Sequence, residues 1–364
     1  MAIETLGILG AGTMGSGIAI ASAQAGAEVV LCDSSEAQLD KALAGAKSFF
    51  DRAVEKGRMK AEAAEAALGR ISGTADLEAL AASDLCVEAV FEDFDLKAEI
   101  FAKLSGILRA DTVVATNTSC LRVSDLARHM AGPERFLGLH YFSPAQINPL
   151  VEVVRGETTD EATFAAALAF VKATGKKPLA CRDSYGFAVN RFFCPYTNEA
   201  ARLVGEGSAT TAQVDRVARQ ALGVPAGPFM VQNIIKPRIN LNAIRNLAPL
   251  GVFYQPAPYL IAVGDADASF EIDKDETGFA ENDGLAADRL RAATFLPILE
   301  ELSEEVASPA DIDMGAETAL RFSAPCRMMD DLGRAEVERL LGPLCEAFKV
   351  PLPESIERVG TLRS

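Results

Sequence analysis

The chain contains two histidines, His129 and His140, so any imidazole that moves a proton near neutral pH is one of these. His129 lies in Asp125-Leu126-Ala127-Arg128-His129, which reads as the exposed side of a short helix beside Gly132-Pro133, a surface position. His140 follows the apolar run Phe136-Leu137-Gly138-Leu139 and precedes Tyr141-Phe142-Ser143-Pro144, so it stands where a strand leaves the core. Glu152 is embedded in the otherwise apolar Leu150-Val151-Glu152-Val153-Val154. A buried carboxylate there needs a partner, because an uncompensated charge away from water is costly. If the two strands are neighbours, Glu152 accepts the imidazole N–H, fixes the tautomer and raises the basicity of the other nitrogen, which makes His140 a general base. Pairing of Glu152 with Arg155 for stability alone is the competing reading.

A second constellation is Gly10-Ala11-Gly12-Thr13-Met14-Gly15. It follows the apolar run 6–9 and opens a helical stretch over 13–25, after which a second apolar run, 29–32, closes on Asp33. This is a βαβ unit in which Gly10 permits a tight turn, Gly12 lets backbone approach a pyrophosphate, and Gly15 lets helix pack on strand. Thr13 and Met14 lie in the same loop, where a helix N-terminus attracts an anion. Asp33 is placed to accept hydrogen bonds from a ribose diol and to repel a 2′-phosphate, so the expected cofactor is NAD and not NADP.

The elements that must position these residues continue the alternation: a buried strand over 84–91, a helix from about residue 96, and a strand over 112–115. Such a pattern predicts a Rossmann-type, doubly wound parallel sheet of the α/β class. Ligands bind these sheets at the carboxyl ends of the strands, which is where Glu92, Lys97, Asn117 and Ser119 fall. From residue 187 the pattern changes to helices, at 188–204, 212–222, 288–306 and from 316 onward, so an all-helical domain over 187–364 should follow a nucleotide-binding domain over 1–186. A shift of 98 residues superposes Glu206, Ala209, Ala212, Asp215, Ala221, Leu222 and Ala226 on Glu304, Ala307, Ala310, Asp313, Ala319, Leu320 and Ala324. This reads as an internal duplication with units at about 187–250 and 284–364. The segment between, rich in Pro, Gly and Asp (Pro256, Pro258, Gly264, Gly278), is expected to be irregular.

Composition narrows the partners. The net charge of −16 is spread along the chain, which argues against nucleic acid, and no apolar run approaches the length of a membrane span. Met1-Ala2-Ile3-Glu4 lacks the basic start of a secretion leader, and the seven cysteines show no metal-ligand or disulfide spacing, so a cytoplasmic chain with reduced thiols and no metal is expected. The densest basic cluster, Lys56-Gly57-Arg58-Met59-Lys60, is either a solvated helix end or a spot where Lys56 and Lys60 hold the phosphates of a small ligand.

Taken in order, Gly10-Ala11-Gly12-Thr13-Met14-Gly15, Glu88-Ala89-Val90-Phe91-Glu92, Asn117-Thr118-Ser119, Gly138-Leu139-His140-Tyr141-Phe142, Leu150-Val151-Glu152-Val153 and Asp183-Ser184-Tyr185-Gly186-Phe187-Ala188-Val189-Asn190-Arg191 resemble the L-3-hydroxyacyl-CoA dehydrogenases of fatty-acid β-oxidation, over about residues 4–229. The resemblance implies an NAD-dependent oxidation of a 3-hydroxyacyl-CoA to the 3-oxo product. His140 would take the hydroxyl proton, Glu152 would orient it, Ser119 and Asn190 would hydrogen-bond the reacting oxygens, and Glu92 and Lys97 would contact the nicotinamide riboside. It also implies that short members pair their helical domains as a homodimer, whereas longer ones carry the second copy in one chain. A homodimer stays open here. The sequence departs from the family at Ser143, Tyr185, Thr197, Asn198 and through 233–240, which leads us to expect a cyclic, branched or functionalised acyl group, with Ser143 near it. A dehydrogenase of a free 3-hydroxy acid on the same scaffold is the alternative enzyme, and an NAD-binding redox sensor the non-enzymatic one.

Overall fold

The structure is a computed structural model that describes residues 3–274, 276–277 and 280–363; Met1, Ala2 and Gly278, named above, lie outside them. It divides into two compact units, Met1–Asp183 and Ser184–Ser364.

The first unit runs β1 (Thr5–Leu9), α1 (Thr13–Gln24), β2 (Glu28–Cys32), α2 (Glu36–Glu55), α3 (Ala61–Gly69), β3 (Ile71–Thr74), β4 (Leu85–Glu88), α4 (Phe94–Ile107), β5 (Val113–Thr116), α5 (Val123–Ala127), β6 (Phe136–Tyr141), β7 (Leu150–Arg155), α6 (Glu161–Ala173) and β8 (Lys177–Arg182). The strands form one sheet in the order β3-β2-β1-β4-β5-β6-β7-β8. The first six are parallel, as the alternation of strand and helix predicts. β7 reverses against β6. The linking segment 142–149 is too short for a helical crossover, so only an antiparallel return is available to it. Leu6, Ile8, Val29, Leu31, Val87, Ala115, Leu137, Leu139, Val151 and Val153, from six of the strands, fill one core with Ile18, Ala19 and Ala23 of α1. Three of the helices, α2, α4 and α6, start where short polar side chains close their first turns: Ser35 accepts from Gln38 N, Asp93 from Leu96 N and Asp160 from Thr163 N.

The second unit is helical: α7 (Asn190–Gly205), α8 (Thr211–Leu222), α9 (Pro228–Ile235), α10 (Pro237–Leu247), α11 (Pro258–Asp265), α12 (Asp283–Ser303), α13 (Pro309–Gly315), α14 (Pro325–Leu332) and α15 (Arg334–Phe348), with a π-helical turn at Ala316–Leu320. The stretch expected to be irregular holds α11, whose Pro258 occupies the first helical turn. Proline has no N–H to lose there, so a residue taken as a loop signal is a helix start.

Local features of this unit recur at a nearly constant offset. Thr210 and Ser308 each cap a helix, through Gln213 N and Asp311 N. Asp215 accepts from Phe229 N and Met230 N at the start of α9, and Asp313 accepts from Cys326 N and Arg327 N at the start of α14. Arg191 pairs with Glu304 while Arg289 pairs with Glu206, so each segment offers the same arginine and the same glutamate to the other. The matched caps and the exchanged ion pairs give this unit a repeated, self-complementary pattern.

One matched pair differs in kind. Gly333, between α14 and α15, has φ 79° and ψ 156°. Its counterpart between α9 and α10 is Lys236, at φ 77° and ψ 127°. That region is natural to glycine and costs another residue about 1–3 kcal/mol. Lys236→Gly should therefore stabilise the chain by about 1 kcal/mol, after about 0.5–1 kcal/mol is returned through the greater freedom of the unfolded chain. Urea unfolding reads this directly, and a destabilised variant would show that the lysine backbone is not strained.

Candidate active site

The antiparallel register of β6 and β7 sets His140 opposite Glu152. Their side chains meet at Nδ1···Oε2 2.6 Å. Glu152 is 0% exposed and His140 4%. An ionised carboxylate only accepts, so Nδ1 carries the proton in this pair and Nε2 is the basic nitrogen. Arg155, the competing partner, instead donates to Glu161 at 2.8 Å. His129 is exposed in the turn after α5, with its ring edge-on to Phe94.

A network of charges and hydroxyls gathers where β4 and β5 end. Glu88, the last residue of β4 and fully buried, accepts from Lys97 Nζ at 2.5 Å, Thr116 Oγ1 at 2.6 Å and Val90 N at 2.8 Å. Lys97 is 1% exposed and also lies 3.3 Å from Glu92. Glu92 Oε1 accepts from Thr118 Oγ1 at 2.5 Å and Ser119 N at 2.8 Å, so it holds the loop that follows β5. Asn117 Oδ1 accepts from Tyr141 N at 2.9 Å, which ties that loop to the residue after His140. Asn117, Ser119, Glu92 and Lys97 are thus joined through one set of contacts that reaches the His140 strand. Glu88 and Thr116 belong to the same set and escaped the sequence reading; the signal was a carboxylate inside an apolar strand, the feature that picked out Glu152.

The glycine loop fits a dinucleotide. Gly10 has φ +107°, and a Cβ there would lie 2.6 Å from Ala89 O; a Cβ on Gly15 would lie 1.8 Å from Gly10 O. Both positions are closed to any side chain by the protein itself. A Cβ on Gly12 would meet nothing within 4 Å, so the space beside it is open for a ligand. Thr13 begins α1, whose N-cap Gly12 supplies no side-chain acceptor, and its first turn holds no acid. Free N–H groups and the positive end of the helix dipole therefore face that space. Met14, in the same first turn, is half-buried against the core. Asp33, just past β2, accepts from Ala11 N at 2.8 Å and Ser35 N at 2.9 Å, and each oxygen keeps a further lone pair for a ribose hydroxyl. A cavity of about 440 Å³ is lined by Gly12, Thr13, Lys41 and Arg52 among others, so two cations stand near the loop. Lys56 and Lys60 do not line it; they are exposed at the turn between α2 and α3.

Ser143 is exposed in the segment between β6 and β7, and its bond to Pro144 is cis. The cysteines are free and buried, and burial pushes Cys32 up to about 11 and Cys86 up to about 12, so neither is a thiolate near neutral pH.

In the helical unit Asn190 is the first residue of α7. Gly186 before it has φ +76°, and a Cβ there would lie 2.9 Å from Arg191 N. The turn is held from the other side by Arg191, which donates to Ser184 Oγ at 2.6 Å and to both carboxylate oxygens of Glu304 at 2.6 and 2.5 Å. Thr197 and Asn198, expected to make an acyl pocket polar, are fully buried and spend their polar atoms inside the unit. Thr197 Oγ1 accepts from Asn240 Nδ2 at 2.9 Å, while Asn198 donates to Gln255 O at 2.9 Å and accepts from Ala257 N at 2.8 Å.

A doubly wound sheet with an open glycine loop, an acid after β2 and a carboxylate-held histidine defines a dinucleotide-dependent oxidoreductase. The comparisons with known proteins make this specific. Residues 5–184 match the family model for the 3-hydroxyacyl-CoA dehydrogenase NAD binding domain, and residues 186–262 match the C-terminal domain of the same family. The chain belongs to the 3-hydroxyacyl-CoA dehydrogenase family, whose members are NAD-dependent oxidoreductases. It is 39% identical over 236 residues to a 3-hydroxybutyryl-CoA dehydrogenase of Mycobacterium tuberculosis, covering 64% of this chain and 82% of that protein. It is 36% identical over 238 residues to the 3-hydroxyadipyl-CoA dehydrogenase of Escherichia coli, covering 65% of this chain but 50% of that protein, so the chain matches half of that relative's length. The crystal structure of an Escherichia coli 3-hydroxybutyryl-CoA dehydrogenase shares the fold, with a TM-score of 0.88 at 23% identity over 100% of this chain and 99% of that one. No described helix is long and apolar enough to cross a membrane.

Two glycine variants separate folding from binding. Gly15→Ala should fail to form the native glycine loop, because its methyl overlaps Gly10 O. Gly12→Ala should fold with stability within about 0.5 kcal/mol of the parent yet bind NAD about tenfold or more weakly. Calorimetry with and without NAD distinguishes them, and undiminished NAD affinity in Gly12→Ala would remove the loop from the cofactor site.

Proposed function

We propose that this protein oxidises the 3-hydroxyl of an acyl-CoA with NAD, His140 acting as general base under the control of Glu152. The observation that carries the proposal is the 2.6 Å contact between Nδ1 and the fully buried carboxylate, in the same unit as the open glycine loop. When bound, the nicotinamide supplies a hydride acceptor. His140 Nε2 takes the hydroxyl proton, and Glu152 holds the ring in the tautomer that leaves Nε2 basic and stabilises the imidazolium that results. Ser119 and Asn190 donate hydrogen bonds to the substrate oxygens as alkoxide character develops. Glu92, with Lys97 behind it, orders the Asn117–Ser119 loop against the cofactor's ribose. Gly10, Gly12, Thr13, Met14, Gly15 and Asp33 hold the remainder of the cofactor, and Lys56 and Lys60 offer charge to the phosphates of CoA.

The acyl group we assign is cyclic, branched or functionalised and not a straight fatty chain. Thr197 and Asn198 no longer argue for this, since their polar atoms are satisfied internally; the departures at Ser143, Tyr185 and 233–240 still do. Among the relatives, one is named for 3-hydroxybutyryl-CoA and another for 3-hydroxyadipyl-CoA, so the scaffold accepts acyl ends of different polarity.

NADH absorbance with a panel of 3-hydroxyacyl-CoAs and free 3-hydroxy acids tests the reading. His140→Gln should lower kcat/KM by about a hundredfold to ten-thousandfold, and Glu152→Gln by up to about ten-thousandfold, both with NAD affinity little changed. Full activity in His140→Gln would exclude the base, and equal activity on free 3-hydroxy acids would remove the dependence on CoA. Best efficiency with straight-chain 3-hydroxybutyryl- through 3-hydroxyhexanoyl-CoA would contradict the unusual acyl group alone.

A further inference from the structure

The helix that presents Asn190 begins without a local side-chain cap. Val189, the residue before it, has no polar group to offer the first turn, whereas Thr210 and Ser308 close the first turns of α8 and α13. This end is also where α7 is accessible: Asn190 is half-buried, and every residue from Arg191 to Ala201 is buried. An amide that must meet a developing charge therefore stands at the start of an uncapped helix, and a contact from elsewhere has to fix that turn.

Arg191 makes that contact by reaching two places at once. It is 1% exposed, donates to Ser184 Oγ at 2.6 Å in the turn that leads into α7, and donates to both oxygens of Glu304 at 2.6 and 2.5 Å. Glu304 is the C-cap of α12, which packs along α7. Glu300, a turn earlier on α12, stands 3.9 Å from the same guanidinium and accepts a hydrogen bond from Tyr254. A planar guanidinium held through both of its terminal nitrogens is fixed in direction as well as in distance. The start of α7 is thus tied to a carboxylate 113 residues further along the chain.

The unit contains the same pair a second time, in a different setting. Arg289 donates to Glu206, the C-cap of α7, at 2.5 Å. It lies more than a turn inside α12 and also holds buried Glu199, while the residue before it, Asp288, is taken by Arg339 at 2.8 Å. This second pair joins the middle of one helix to the end of another. The first anchors the helix start that bears Asn190.

We propose that Glu304 is a positioning residue for the oxidation: through Arg191 it aims the Asn190 amide at the substrate's reacting oxygen, so the second half of the helical unit serves catalysis without touching substrate. The proposal rests on the role given to Asn190 in the proposed function. Without the carboxylate, Arg191 keeps only Ser184 and the more distant Glu300, and the first turn of α7 shifts. A displacement of about 1 Å at a donor to developing charge lowers the rate by about a hundredfold.

The test sets Glu304→Gln beside Glu206→Gln, which removes the same charge from the matching pair. Both should fold, with similar small falls in melting temperature. Glu304→Gln should lower kcat on a 3-hydroxyacyl-CoA by about tenfold to a hundredfold with NAD affinity unchanged, and Glu206→Gln should leave kcat within about twofold of the parent. In an Asn190→Ala background Glu304→Gln should lower kcat no further, because the group it positions is gone. An unchanged kcat in Glu304→Gln, equal losses in Glu304→Gln and Glu206→Gln, or a Glu304→Gln loss that persists without Asn190 would each overturn the inference and leave the proposed function standing. Full activity in Asn190→Ala would remove the role of Asn190 from the proposed function, and this inference with it. If Glu304→Gln fails to fold, Ser184→Ala releases the same guanidinium from its other side, and its loss of kcat should likewise vanish in the Asn190→Ala background.

Discussion

The first unit depends on one constraint: a carboxylate at the centre of a fully buried strand must be compensated, and the strand register provides a single imidazole to do it. Glu152 and His140 face each other because β7 returns antiparallel to β6. A slip of one residue in β7 would turn Glu152 to the opposite face of the sheet, away from His140. It would leave a bare charge in the core, at a cost of several kcal/mol. The interaction that positions the base and the one that secures the register are thus the same contact.

The neighbouring strands repeat this logic with different chemistry. Glu88 ends β4 under the same burial and is neutralised by Lys97 from the following helix, with Thr116 from β5 completing its shell. Glu92 shares that lysine and orders the loop carrying Asn117 and Ser119. The groups brought to the carboxyl ends of the strands are therefore held by buried charge pairs and not by loop packing alone. Such pairs are poor sources of net stability, but breaking one strands its partner, so they keep the loops in one arrangement.

The helical unit carries a different kind of information. Its two halves exchange Arg191–Glu304 and Arg289–Glu206 contacts, and this symmetry makes departures visible. Much of the first unit was legible in the sequence, because glycine spacing, an acid after the second strand and a glutamate among valines each have few physical explanations. The roles of Thr197 and Asn198 were not legible: a polar residue on a helix can face a pocket or a neighbouring helix, and only packing decides which. The pairing of Lys97 with Glu88 was not legible either, since it depends on how β4 meets α4. The positive φ at Lys236 was legible only as part of the departure from the family pattern through 233–240, and its comparison with Gly333 needs the structure.

The central claim concerns which imidazole nitrogen carries the proton. With only two histidines in the chain, ¹⁵N-labelled histidine gives a spectrum in which His140 can be assigned by substitution of exposed His129. The account predicts a neutral His140 protonated at Nδ1, with a strongly downfield N–H proton that disappears in Glu152→Gln. A neutral ring protonated at Nε2, or an Nδ1–H resonance indifferent to Glu152, would contradict it.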